Sequence, residues 1–154
     1  MTPLYLLRHA KAKDREKWTE PDHLRPLTKE GWRQAEALVD LYANQEFTRV
    51  LSSPYVRCVQ TLEPLAKARG LPLETADELA EGAPLEATYE LMCSVAADGP
   101  APLSTHGDIV QNVLHDLQRR NVPIEGPFEL RKGSAWVLEL SDGEVTRGRY
   151  IPPP

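Results

Sequence analysis

Residues 4–12, "LYLLRHAKA", set a dense apolar run directly against an arginine–histidine pair. A short apolar run that stops abruptly at polar residues reads as a buried strand, so Arg8 and His9 fall just past its end. The same shape occurs twice more: Val50-Leu51 precedes Ser52-Ser53-Pro54, and Pro102-Leu103 precedes Ser104-Thr105-His106. Each is followed by apolar residues at helical spacing. Trp32, Ala35, Leu38, Val39 and Tyr42 form the first stripe, with Thr28 as its N-cap. Val56, Val59, Leu62 and Ala66 form the second, which Pro64 is expected to kink or split before Gly70 ends it. Val110, Val113, Leu114 and Leu117 form another, and Leu85, Thr88, Leu91, Met92 and Val95 a fourth. The tail "SAWVLELSDGEVTRGRY" reads as a hairpin turning at Asp142-Gly143.

Alternation of strand and helix predicts an α/β fold, a three-layer α/β/α arrangement with a mostly parallel central sheet and antiparallel pairing in the C-terminal hairpin. Ligands of such sheets bind outside the carboxyl ends of the strands. One edge of the sheet would therefore gather Arg8 and His9, Ser53 with the following Arg57, and His106. At 154 residues the chain has the size of one domain, and residues 1–154 are read as such, with no internal repeat or linker.

Composition excludes several classes. No stretch has the apolar length of a membrane span. Asp plus Glu exceed Lys plus Arg by 23 to 18, for a formal net charge of −5, and no basic stripe interleaves with aromatics. A nucleic-acid polymer is therefore not expected as a partner, and any anion site must be local. The first residues lack the pattern of a secretory signal, and Cys58 and Cys93 do not resemble a disulfide framework, so a cytoplasmic location is expected. Cys58 is not a phosphatase nucleophile of the kind that carries an arginine six residues on, because position 64 is Pro. Both cysteines are read as ordinary buried thiols.

Two histidines and two arginines meeting without a plausible set of metal ligands point to a phosphoryl group. Guanidinium forks match phosphate oxygens, and a neutral imidazole can attack phosphorus in line while cationic donors stabilise the equatorial oxygens. His23, in a charged loop, and His115, just off its helix stripe, have no such neighbours.

The residues also resemble a known family. "LLRHAKA" is similar to the Arg-His-Gly signature of the histidine phosphatase, or phosphoglycerate mutase-like, superfamily. "SSPYVRCVQT" resembles its Ser-Ser-Pro-x-x-Arg-x-x-Gln-Thr segment, and "STHGD" its second histidine motif, in the same order. The resemblance covers residues 4 to about 117. It implies a cofactor-independent, metal-free phosphatase with a phosphoglycerate mutase-like fold, in which His9 is the phosphorylated nucleophile, Arg8 and Arg57 are phosphate clamps and His106 completes the pocket. The family's proton donor follows a "Leu-x-Glu" turn, which "ELAEG" places at Glu81, with Glu78 as competitor. Ala10 stands where the family usually has glycine. Lys11, Arg25 and Ser53 are candidate substrate contacts, although Arg25 could instead pair with Asp22. Lys13, Arg15 and Lys17 could extend a positive mouth toward further phosphates. The short chain and "DHLRPLTKEGWRQAEAL" look like small SixA-type phosphohistidine phosphatases, and "VRCVQTLEPLA" is similar to the phosphatase-like domain of some MutT-type Nudix hydrolases. The substrate implied is a phosphohistidine protein or a phosphorylated small molecule such as a nucleotide, and a noncatalytic phospho-ligand module is the alternative from another class. Oligomeric state is left open.

Overall fold

A computed structural model describes residues Met1–Pro154. One seven-stranded sheet organises them, with the order β3-β2-β4-β1-β6-β7-β5. Its strands are β1 (Thr2–Arg8), β2 (Val50–Ser52), β3 (Leu73–Thr75), β4 (Ala101–Thr105), β5 (Ile124–Glu125), β6 (Ala135–Ser141) and β7 (Glu144–Ile151). β6 is antiparallel to both its neighbours and every other pairing is parallel, as the alternating pattern predicts. β3 and β5 add to the expected strands; with three and two residues they are too short to show a sequence period.

Four helices cover the sheet: α1 (Lys29–Leu41), α2 (Val56–Arg69), α3 (Leu85–Asp98) and α4 (Gly107–Arg119). Side chains of a strand alternate between faces, and β1 shows it directly. Leu4 and Leu6 join one core with Met92 and Val95 of α3 and Val110, Val113, Leu114 and Leu117 of α4. Tyr5 and Leu7 join the other with Leu38 of α1 and Leu62, Leu65 and Ala66 of α2. The continuous apolar run of β1 thus reflects burial on both faces, which makes three layers.

Local signals act where expected. Thr28 Oγ1 accepts from the Gly31 amide at 3.0 Å and starts α1. Asp142 and Gly143, at φ 51° and 77°, make the turn between β6 and β7, the left-handed pair that suits a two-residue hairpin. Gly70 ends α2 at φ 64°. Pro64 departs from expectation: α2 is one helix that contains it. Proline removes one backbone hydrogen bond and crowds the preceding turn, but Leu62, Leu65 and Ala66 on either side are locked into the core, and packing holds the helix together. No helix is long and apolar enough to cross a membrane.

Candidate active site

β4 lies between β1 and β2, so the three strand ends deliver their residues side by side. The His9 amide donates to Thr105 O at 3.0 Å and the Ser53 amide to Ser104 O at 2.8 Å. The rings of His9 and His106 lie 5.7 Å apart, edge to face. Both imidazoles are almost fully buried.

His9 Nδ1 donates to its neighbour's carbonyl, Ala10 O, at 2.7 Å, and Nε2 has no hydrogen bond within the protein. That bond fixes the tautomer and leaves the Nε2 lone pair as the available nucleophile. Burial first, then repulsion from Arg57, His106 and Arg8, lowers the pKa of His9 to about 3. Burial, then Arg57, lowers that of His106 to about 4. Both rings are therefore neutral at pH 7. Ser53 Oγ meets His106 Nε2 at 2.8 Å and also receives the Tyr55 amide at 3.3 Å. The Tyr55 ring packs edge-on against His106 at 4.6 Å.

The same burial makes stability depend on pH. In the unfolded chain both imidazoles titrate near 6.5, above their folded values, so the unfolded state binds more protons as the pH drops and the folded state loses ground. The histidine contribution is complete above pH 6.5 and declines as pH falls through the folded values, toward about 4 for His106 and about 3 for His9. Urea unfolding at pH 7.5 and pH 5 is expected to differ by on the order of 2 kcal/mol for each imidazole. The variant His9→Asn should lose its share of that difference; an unchanged pH dependence would contradict neutral burial of His9.

Arg57, fully buried in α2, points its guanidinium at the 3-10 turn Asp22–Leu24. Nη1 donates to Asp22 O at 2.9 Å and Nη2 to Asp22 Oδ2 at 3.1 Å. Asp22 also pairs with Arg25 Nε at 3.0 Å and lies 3.7 Å from Arg15 Nε. Burial raises the Asp22 pKa, but the hydrogen bond from Arg25 and the charge of Arg57 outweigh it and hold the carboxyl below its ordinary value. Sequence reading anticipates the partnership with Arg25 and misses the one with Arg57, because only folding brings the loop against α2. Arg8 donates Nη1 to Leu130 O at 2.8 Å. Arg8 Nε and Arg57 Nε are buried with no acceptor in the protein, two free charged donors beside His9.

Glu81 reaches this group: its Oε1 lies 3.2 Å from Arg15 Nη2 and 3.8 Å from Arg57 Nη2. Glu78 makes no side-chain bond there; its backbone carbonyl accepts from Thr88. Ser53, expected at the substrate, is fully buried and its hydroxyl holds His106, which corrects its role to that of a positioning residue. Arg25 lines the cleft but directs Nε to Asp22 and Nη1 to Lys13 O. Lys11 lines the cleft and pairs with Glu30 at 2.9 Å. Cys58 touches His106 Nε2 at 3.5 Å, yet burial pushes its thiol up to about 12, so it is inert packing.

In front of His9 is an open cleft of about 740 Å³ lined by Arg8, Lys11, Lys13, Arg15, Arg25 and Lys132, against two carboxylates, Asp14 and Glu16, and one apolar residue, Ala12. Arg57 and His106 are buried and do not line it. Lys132 has no counterpart in the sequence reading. It arrives from the segment before β6, and no local pattern marks it.

The "VRCVQT" stretch explains how the loop over the site is held. Gln60 Oε1 accepts from the Leu27 amide at 2.8 Å, and Thr61 Oγ1 accepts from the Ala10 amide at 2.9 Å while donating to Arg57 O. α2 thus fixes both ends of residues 10–27. Ala10 packs with Leu27 and Ala35, so its methyl group faces a small core and leaves the loop undisturbed. Gly107 permits close stacking: a Cβ there would sit 3.1 Å from the Arg8 guanidinium.

Residues 4–89 match the model of the histidine phosphatase superfamily (branch 1). The chain is 34% identical over 155 residues to the 8-oxo-(d)GTP phosphatase of Mycolicibacterium smegmatis (strain ATCC 700084 / mc(2)155), a comparison spanning 97% of this chain and 48% of the relative. It therefore spans about half the length of that curated relative. Among solved structures, the putative phosphohistidine phosphatase SixA from Agrobacterium tumefaciens superposes with a TM-score of 0.73 at 27% identity, covering 99% of both chains. The protein histidine phosphatase SixA complexed with tungstate superposes at 0.77 with 21% identity, covering 97% of this chain and 94% of that one, a likeness of fold.

Proposed function

The chain belongs to the histidine phosphatase superfamily (branch 1), and from that premise we propose that it is a metal-independent phosphatase that passes a phosphoryl group through His9. The observation that carries this reading is a neutral imidazole at the cleft whose Nδ1 is held by Ala10 O and whose Nε2 is free. Nε2 attacks phosphorus as the leaving group departs, and water then displaces the phosphoryl group from the nitrogen. Arg8 and Arg57 supply the donors for the equatorial oxygens, where preorganised charge lowers the barrier. His106, positioned by Ser53, packs beside His9.

Two substrate classes fit the open mouth. Similarity to the SixA structure from Agrobacterium tumefaciens supports protein phosphohistidine. The cationic lining favours a second reading, a small molecule that carries more than one phosphate. Phosphate release from phosphohistidine protein, nucleotides and phosphomonoesters, measured with a chelator present, tests the reaction itself. Turnover undiminished by chelator is expected. Tight binding of these ligands without any release would establish the noncatalytic module instead.

In this reading Glu81 donates a proton where the leaving group needs one. General acid assistance scales with the basicity of the departing atom. Glu81→Gln is expected to slow an alkyl phosphate by about 10²-fold or more and an aryl phosphate with an acidic phenol by less than about threefold. Steady-state rates on the two substrates check it. Equal slowing of both would remove proton donation from Glu81, and a selective loss in Glu78→Gln would move the role there.

A further inference from the structure

We propose that the cleft in front of His9 accepts an oligophosphate chain, with the terminal phosphoryl group between Arg8 and Arg57 and the next phosphate on Lys11 and Lys132. This rests on the phosphohistidine reading above and names its substrate class.

The first support is local charge. The cleft gathers six cations against two carboxylates on a chain whose formal net charge is −5. Arg15 and Arg25 are paired with Glu81 and Asp22 and Lys11 with Glu30, so a single phosphoryl dianion beside Arg8 and Arg57 leaves Lys13 and Lys132 without a carboxylate partner. For Lys132, partial desolvation followed by repulsion from Arg8, Arg25, Lys11 and Arg15 holds the pKa below the ordinary lysine value. Like charges held together await a ligand with more than one negative group.

The second support is the way Lys132 is placed. Its segment is fastened to the catalytic strand end: Arg8 Nη1 donates to Leu130 O, the Gly133 amide to Arg8 O at 3.0 Å and the Arg8 amide to Ser134 O at 3.0 Å. The Lys132 carbonyl accepts from Gln34 Nε2 at 3.2 Å. The ammonium is thus carried on backbone that moves with Arg8 and His9, as a recognition group requires.

The third is continuity of space. A second cavity of about 350 Å³ shares Lys11 and Lys132 with the first and adds Arg131 along with Glu30, the partner of Lys11. A chain entering His9's cleft can therefore run on past these two lysines. Ala12 is the one apolar residue of the first cavity, and Pro153 that of the second. Charged side chains supply most of the lining residues of these two cavities, while Trp18 borders a smaller one that shares Lys13, Asp14 and Thr28 with the first.

The chemistry balances with water alone. His9 Nε2 bonds to the terminal phosphorus as the bond to the bridging oxygen breaks, and that oxygen keeps the electron pair as a terminal oxygen of the shortened chain. Water then attacks phosphorus, the N–P electron pair returns to Nε2, orthophosphate leaves and the excess proton passes to solvent. A phosphate leaving group departs with little need of a proton donor.

Kinetics on the intact chain with tripolyphosphate, a nucleoside triphosphate, an aryl phosphomonoester and a phosphohistidine protein test the proposal. The two oligophosphates are expected to exceed the monoester in kcat/KM by about tenfold or more, since each added charged hydrogen bond is worth about that factor. Whichever oligophosphate is faster identifies the source, nucleotide or inorganic. Lys132→Ala should raise KM for tripolyphosphate about tenfold relative to its effect on the monoester, and Lys132→Arg should recover most of that selectivity because the charge is kept. Equal KM changes for both substrates, or a phosphohistidine protein as the best substrate, would overturn the proposal. Monoester turnover without oligophosphate preference would defeat it while leaving the phosphatase reading intact. No release from any substrate, with no phosphate on His9, would defeat that reading instead.

Discussion

His9→Ala is expected to reduce phosphate release by at least about 10³-fold, since removing a nucleophile leaves only what binding and electrostatics supply. The imidazole lies beyond the end of β1, with one internal hydrogen bond to its own neighbour's carbonyl, and the loop that carries it is held from elsewhere, by Thr61 and Gln60 of α2. The variant should therefore fold, with a melting curve close to that of the natural chain at pH 7.5. Rapid quench of the natural enzyme should trap phosphate that is labile to acid and stable to alkali, on His9. A variant that keeps more than a few per cent of activity, together with no label on any histidine, would refute the mechanism.

Arg57→Ala is expected to lose about 10²-fold to 10³-fold in kcat/KM, the usual consequence of deleting a positioned donor from a transition state. Its structural effect should be smaller, because Asp22 is partly exposed and keeps Arg25 as a partner. A destabilisation of roughly 1–3 kcal/mol is expected for the lost buried hydrogen bonds. Arg57→Lys should restore little of the rate, because an ammonium concentrates its donors at one point and cannot reproduce the planar fork that spans Asp22 O, Asp22 Oδ2 and the phosphate. Denaturant melts beside the kinetics separate the two effects. A lysine variant of full activity would reduce Arg57 to a charge without geometry.

The parts of the fold legible in the sequence are those with a local cause. The apolar run at Leu4–Leu7, the Thr28 cap and the Asp142-Gly143 turn each act within a few residues, and each is found in place. The ends of β1, β2 and β4 converge because the parallel order follows from alternation, so the meeting of Arg8, His9, Arg57 and His106 could be anticipated too. Pro64 misleads because backbone preference yields to core packing around Leu62 and Leu65. Asp22 against Arg57 spans 35 residues and Lys132 against Arg8 spans 124; neither pairing leaves a trace in spacing. Ser53 follows its strand as expected, yet its hydroxyl is turned to His106, the residue between β4 and α4.

The two margins of the sheet have a bearing on how copies of this chain behave in each other's company. A margin strand offers unpaired amides and carbonyls on which a second molecule could add its own strand. Here the outermost strands are Leu73–Thr75 on one side and Ile124–Glu125 on the other; β1 and β6 are enclosed between neighbours, while β5 pairs only with Gly148 and Arg149 of the eight-residue β7 and leaves the rest of its outer edge uncovered. Three residues and two present too few free groups to nucleate growth from chain to chain. The exposed charges Glu144 and Arg147 stand along the uncovered part of β7 and oppose the docking of a second copy's strand there.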